Sequence, residues 1–266
     1  MDNKKRPAST TRELTAYFLL AYALSWSIGI PLALEKHGLI PEVLPFWTHY
    51  LMAYGPMLAA MLVTGSSLGR PGLRDLLGRM FRWRVCPKWW IVAFSPLLLG
   101  IVLIPLLNFL TGSALHLAVL GVVNYLPPLG IAALLLWFFT FGLGEETGWR
   151  GFALPRLEQG RSALSATLIL TVFWALWHLP QFFYTYDPTF LIGWAVTLFA
   201  GSVLLTWLYN SASNSILMAA IWHTSFNFVT ASPADTGLLP MVISMIIILF
   251  AVVVVARYKP QSLTAI

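Results

Sequence analysis

The chain has 266 residues, of which 58% are hydrophobic and only 10% are charged. An ordinary soluble domain carries about 25% charged residues, so this composition excludes a globule that covers its own surface with water-compatible groups. The formal net charge of +6 reads as a topology signal and not as a nucleic-acid interface. The single cysteine, Cys86, excludes an intramolecular disulfide framework and a multi-cysteine metal site.

A spanning helix needs about 20 apolar residues, within a range of about 17–25. In chain order such runs are predicted near 15–34, 47–68, 89–110, 126–143, 163–179, 189–210, 215–229 and 238–256. They are continuous and lack the alternation of a membrane barrel. The fold class predicted is therefore all-α, a polytopic transmembrane bundle of about eight spans forming one domain over 1–266. The first run is longer than a signal-peptide core of about 7–15 residues and is predicted to be a retained anchor. Trp47, Tyr50, Trp89 and Trp90 fall at span edges, where aromatic side chains anchor a helix in the interface.

Cytoplasmic loops retain Lys and Arg. With eight spans and both termini in the cytoplasm, every one of the 16 basic residues except Lys36 falls on the cytoplasmic side. A wrong span count would scramble that partition. Between the second and third runs, basic residues from Arg70 to Lys88 interleave with Leu73, Leu76, Leu77, Met80, Phe81 and Trp83, the pattern of an amphipathic helix lying on an anionic leaflet. The stretch 111–125 is predicted as a re-entrant or surface segment, and the tails 1–11 and 260–266 as disordered. Membrane lipids are thus expected partners, in a bacterial plasma membrane.

An ionisable side chain deep in a bilayer costs roughly 2.5–3.5 kcal/mol on insertion scales and usually marks function. Most acids here lie in tails or loops; Glu145 and Glu146, in Gly144-Glu-Glu-Thr-Gly-Trp-Arg150, do not. Glu146 and Arg150 are four apart and can pair along one helix face, whereas Glu145, about 100° around the helix, meets a different neighbour. Of the five histidines, His37, His49 and His116 fall in loops or at span edges; His178 and His223 are interior. Asn227 shares a face with His223. Gly142, Gly144, Gly148 and Gly151 thin the helix around the acids and admit another backbone or a substrate. The expected boundaries put Glu145 near the cytoplasmic end of its span and His178 near the far end of its own. Either the fifth span starts late or dips, or the site lies deeper than those boundaries.

Each residue alone has a structural reading: a helix-end ion pair, a packed histidine, an interhelical amide. Together, within 126–230, they suit peptide hydrolysis, which needs an activated water, a stabilised oxyanion and a protonated leaving amine. Glu145 can deprotonate water, His178 can share that proton, and His223 with Asn227 can donate to the oxyanion. An alternative places a divalent metal such as zinc on Glu145, His178 and His223, three ligands with an open position for water. The sequence does not choose between them.

The order Glu-Glu-x-x-x-Arg (145–150), aromatic-x-x-x-His (174–178) and His-x-x-x-Asn (223–227), each on its own span, resembles the CAAX protease and bacteriocin-processing (Abi) family of intramembrane endopeptidases. The resemblance covers about 134–227, and Trp174 stands where phenylalanine is usual. It implies Glu145 as base, His178 and His223 as its partners, Asn227 in the oxyanion hole, and Glu146 with Arg150 setting the geometry. The family is described both as metal-dependent and as metal-free, and the metal-free reading is preferred. It further implies a peptide or protein substrate, prenylated or not. A non-enzymatic scaffold or bacteriocin-immunity role on the same fold is the main rival. A transporter is the other, although the repeats and paired broken helices common to such folds are absent.

Overall fold

The computed structural model describes residues 8–112, 115–117, 120–122, 129–231 and 237–265. Among these the chain is an all-α bundle without a strand. Nine helices are numbered here: α1 (Ala8–Lys36), α2 (Tyr54–Met80), α3 (Pro87–Ala93), α4 (Ser95–Thr111), α5 (131–158), α6 (Ala163–Trp177), α7 (Leu191–Ser211), α8 (Ile216–Thr230) and α9 (Leu238–Arg257). Four are long and apolar enough to cross a membrane: α1, α2 with the short turns before it, α7 and α9. Helices α3 and α4, bent by 54° at their junction, supply a fifth crossing if taken as one. α6 and α8 have 15 residues each, and α5 is interrupted by charge. The bundle is multi-pass, but among the described residues full-length apolar spans are fewer than the eight runs suggest. Large apolar side chains such as Leu62, Val102, Leu135, Val172 and Val252 remain exposed on its flanks, as a lipid-facing surface requires.

α5 departs most from its expected limits. It does not stop near 143 but continues without a break to Glu158, so Glu145 lies near its middle. Two stretches of it, Phe138–Glu145 and Trp149–Ala153, are π-helical, with i→i+5 turns of the kind that mark functional sites. Its glycines admit neighbouring backbones. A Cβ at Gly144 would stand 2.6 Å from the Ala53 carbonyl oxygen, and one at Gly142 would stand 2.9 Å from that of Ala220.

α6 starts where the Ser162 hydroxyl accepts the Ser165 N–H, 3.2 Å away. It ends at Trp177 because Pro180 bars the helical conformation just ahead of it, leaving His178 at the helix end. α1 is tied to α6 by Tyr22 Oη donating to the Phe173 carbonyl (2.6 Å) and Trp26 Nε1 to that of Trp177 (3.0 Å).

The two ends of the bundle differ. At one, Arg79 donates to the Gly151 carbonyl and the Tyr209 hydroxyl, Arg156 pairs with Glu13, and Arg82 donates to the Ser213 carbonyl. α2 reaches this end through a break at Gly69 (φ 61°). Beyond the break, Leu76 and Met80 pack inward while Leu77, Phe81 and Trp83 stay exposed. The two-faced pattern expected of 70–88 is present, but helical only as far as Met80. The last residues are not loose. The amides of Ala163 and Leu164 donate to the carbonyls of Gln261 and Pro260, Ala265 N–H donates to Ser211 Oγ, and Leu263 is fully buried. The disorder expected of 260–266 is thus corrected for 260–265, because the start of α6 and the end of α7 offer them partners. Residues 113–114, 118–119 and 123–125 of the stretch 111–125, and residues 1–7 of the N-terminal tail, lie outside the described residues; the disorder expected of 1–11 is corrected for 8–11, which open α1. At the opposite end gather the connections from α1 to α2, α6 to α7 and α8 to α9.

Candidate active site

The extension of α5 removes the depth conflict. Glu145 lies 13 residues from the α5 terminus at Glu158, and His178 lies 15 residues from the α6 start at Ala163. These are comparable rises from the same end of the bundle at about 1.5 Å per residue. Glu145, His178, His223 and Asn227 all line one cavity of about 1810 Å³, together with Trp174, Gln181, His49 and Tyr186.

The adjacent acids are held in opposite ways. Glu146 is fully buried; its Oε1 accepts from an Arg150 guanidinium nitrogen at 3.0 Å and from His223 Nδ1 at 2.9 Å. Arg150 is also fully buried, donates to Ser202 Oγ at 2.9 Å and stacks 4.4 Å from the Trp174 ring centre. Burying such a pair is tolerable only when its remaining hydrogen-bonding capacity is largely met; the Ser202 hydroxyl and the Trp174 face serve part of that need, while Glu146 Oε2 and Arg150 Nε have no hydrogen-bond partner among the described residues. Among the described residues Glu145 has no cationic partner in hydrogen-bond or salt-bridge contact. Its Oε2 accepts from Trp174 Nε1 at 2.7 Å and from Trp149 Nε1 at 3.4 Å.

Two tautomers follow. His178 Nδ1 lies 2.7 Å from the Trp174 carbonyl oxygen, which can only accept, so Nδ1 carries the hydrogen and Nε2 is left as acceptor. His223 Nδ1 donates to the Glu146 carboxylate, so its Nε2 can take up a proton while Glu146 offsets the resulting charge. Trp174 joins the two histidines, its ring centre 5.8 Å from that of His178 and 5.4 Å from that of His223. Asn227 is half-buried on the cavity wall one turn beyond His223.

The pairing of Glu146 with Arg150 is as expected. His223 makes a contact the sequence did not suggest, its Nδ1 meeting Glu146. Among the described residues no group of three His, Cys, Asp or Glu side chains is placed to hold a metal ion, so the set Glu145, His178 and His223 does not fit one, and no step is built on it.

Four contributors were not singled out by the sequence reading. Ser202 is a lone hydroxyl in an apolar helix. Trp149 lies one turn after Glu145, a spacing that suffices to find it. His49, assigned to a span edge, is buried on the cavity wall with Nδ1 2.9 Å from the Tyr184 hydroxyl, which donates to Met52 Sδ. Gln181, three residues past His178, is 97% buried (3% exposed) and faces the cavity.

A family model described as type II CAAX prenyl endopeptidase Rce1-like matches residues 127–229, the segment that carries every one of these motifs. This segment is similar to the CAAX protease and bacteriocin-processing family. CAAX prenyl protease 2 of Methanococcus maripaludis is 31% identical to it over 103 residues. Those residues are 35% of this chain and 37% of the relative, so the likeness spans little more than a third of either. The family is one of endopeptidases, and its motif-bearing helices here are α5, α6 and α8. α1 and α7 lie outside or between the motifs, yet supply Tyr17 against Trp149 and Ser202 against Arg150.

Proposed function

We propose that this chain is an intramembrane endopeptidase in which Glu145 activates water. The observation that carries the reading is that Glu145, alone of the two acids, reaches the cavity without a cationic partner, alongside His178, His223 and Asn227. A carboxylate neutralised by an ion pair is a poor base. One held by two indole N–H groups keeps its charge and its free oxygen for a water proton.

The steps balance in protons. Water lying between Glu145 and a scissile carbonyl gives one proton to the carboxylate as its oxygen bonds to the carbonyl carbon. The carbonyl oxygen becomes an oxyanion, to which the Asn227 amide donates, joined by His223 through Nε2–H when that nitrogen is protonated. Collapse of the tetrahedral species breaks the C–N bond, and the proton passes to the departing amine from Glu145 or through His178 Nε2. The buried Glu146–Arg150–Ser202 cluster fixes His223 and takes no proton. A peptide or protein is the substrate class, and nothing in this chemistry requires a prenyl group.

The test is cleavage by purified protein in detergent or liposomes. Glu145→Gln should lose activity by about 10²–10⁴-fold, the usual contribution of a general base, with unchanged insertion and folding. Full activity in that variant would leave only a scaffold or immunity role on this fold.

A further inference from the structure

We propose that the Gln181 side chain binds the substrate backbone, pairing with the N–H and C=O of one residue on the leaving-amine side of the scissile bond; this deepens the peptidase reading and rests on it. After α6 ends, the chain winds through a short 3-10 turn, Leu179–Phe183. The Gln181 N–H donates to the His178 carbonyl at 2.8 Å. Its own carbonyl accepts from the amides of Tyr184 (3.2 Å), Thr185 (2.8 Å) and Tyr186 (3.0 Å). The backbone of Gln181 is therefore pinned from both sides, and its turn closes without help from the side chain. That side chain is only 3% exposed and lines the same cavity as His178. Among the described residues its carboxamide has no hydrogen-bond partner.

A carboxamide offers two N–H donors and an acceptor oxygen, and buried groups of this kind are almost always paired. The wall around it is aromatic: the Trp194 ring centre is 5.3 Å from that of His178 and 4.9 Å from that of Phe182. Thr185, bonded through its N–H to the Gln181 carbonyl, also lines the cavity, and its Oγ1 is buried without a partner among the described residues. One turn thus brings two unmatched polar groups to the cavity. An extended chain directs the N–H and C=O of one residue to the same side, and a planar carboxamide can meet both. Such recognition reads no side chain, which suits a wall that includes Trp137, Phe141 and Phe226. The register follows from His178, whose Nε2 serves the departing amine while Asn227 serves the oxyanion. Gln181 is hydrogen-bonded to His178 through a single turn, and an extended chain advances about 3.3 Å per residue. The residue that Gln181 meets is accordingly the first or second after the scissile bond.

The test uses the full chain in detergent and a capped, dye-labelled apolar peptide of non-repeating sequence, with each backbone amide in turn replaced by an ester. Binding is read by fluorescence anisotropy on the Glu145→Gln chain, which leaves the peptide uncut. Adding Gln181→Met should weaken binding by about tenfold, the equivalent of one or two neutral hydrogen bonds, with the melting temperature unchanged. One ester should weaken binding about as much in the Glu145→Gln chain and have little effect once Gln181→Met is present. Esters that act equally in both chains overturn the proposal, as do parental affinity in Gln181→Met and absence of peptide binding altogether. Gln181→Asn, whose amide falls a methylene short, carries the same comparison if Gln181→Met does not fold. Failure of both to fold makes the amide a structural member and overturns the proposal too. In the active chain Gln181→Met should raise KM by about tenfold and leave kcat nearly unchanged, the mark of lost uniform binding; a fall confined to kcat overturns it. The decisive ester should lie at the first or second residue after the bond that is cut, mapped by mass spectrometry, and a position before that bond overturns the register. An active chain that binds the peptide and never cuts it removes the peptidase reading and the register together, while the ester comparison still decides whether Gln181 holds a peptide backbone.

Discussion

Glu145 and Glu146 are adjacent in the chain and equally removed from bulk water, yet one is enclosed by partners and the other borders an open space. Around Glu146 an arginine, a histidine and, through the arginine, a serine from three other positions close into a charge-compensated knot. Around Glu145 there are two indoles and the cavity. The difference teaches that burial by itself does not decide how a carboxylate is held. What separates the two is whether the protein has already satisfied the charge. A doubled carboxylate beside a single arginine produces this division automatically, because one guanidinium on one helix face can serve only one of two side chains about 100° apart.

The division can be broken from either side. The largest effect is expected on the open side: Glu145→Gln should lower the turnover number by about 10²–10⁴-fold while leaving the thermal unfolding temperature in detergent within a degree or two of the parent. The closed side should behave in the opposite sense. Arg150→Met leaves Glu146 buried without its cation and should cost about 3–5 kcal/mol of stability, read as loss of folded protein in denaturant titration; a variant of parental stability would mean the cluster is not the structural member of the pair. Asn227→Ala should reduce turnover by about 10²–10³-fold, as loss of an oxyanion donor does, with substrate affinity little changed. The smallest effect is expected of Trp174→Phe, which keeps an aromatic face for Arg150 but deletes the 2.7 Å donor to Glu145. A hydrogen bond to a charged group contributes about 1.5–3 kcal/mol, so activity should fall by about tenfold or somewhat more. An unchanged rate would assign the positioning of Glu145 to Trp149 instead.

How far the sequence revealed this molecule depended on which force was in play. Composition and apolar runs report transfer into lipid, and they placed the helical bundle correctly. They misjudged α5, because counting apolar residues stops at the first carboxylates whereas the helix does not. Glu145 and Glu146 find partners inside the bundle, so the backbone continues for another 13 residues past Glu145. The same count treated 260–265 as a loose polar tail, when unpaired amides at the start of α6 were waiting to bind its carbonyls. Within the site, helical spacing revealed the Glu146–Arg150 pair and the shared face of His223 and Asn227. It could not tell which carboxylate His223 would meet, since that depends on how α8 packs on α5 and on the π-helical turns between. His49 and Gln181 were hidden for a plainer reason: each sits in a short turn whose residues look solvent-exposed until three connections fold over one cavity.

The widened turns of α5 also set a rule for how this gene can vary. Deleting any one residue from 138 to 144 with the remaining winding kept would turn everything after it by about a quarter turn. Glu145 would swing off Trp174 and Glu146 off His223 at a single stroke, with every amino acid of the motif still present. Length in that stretch is therefore as binding as identity.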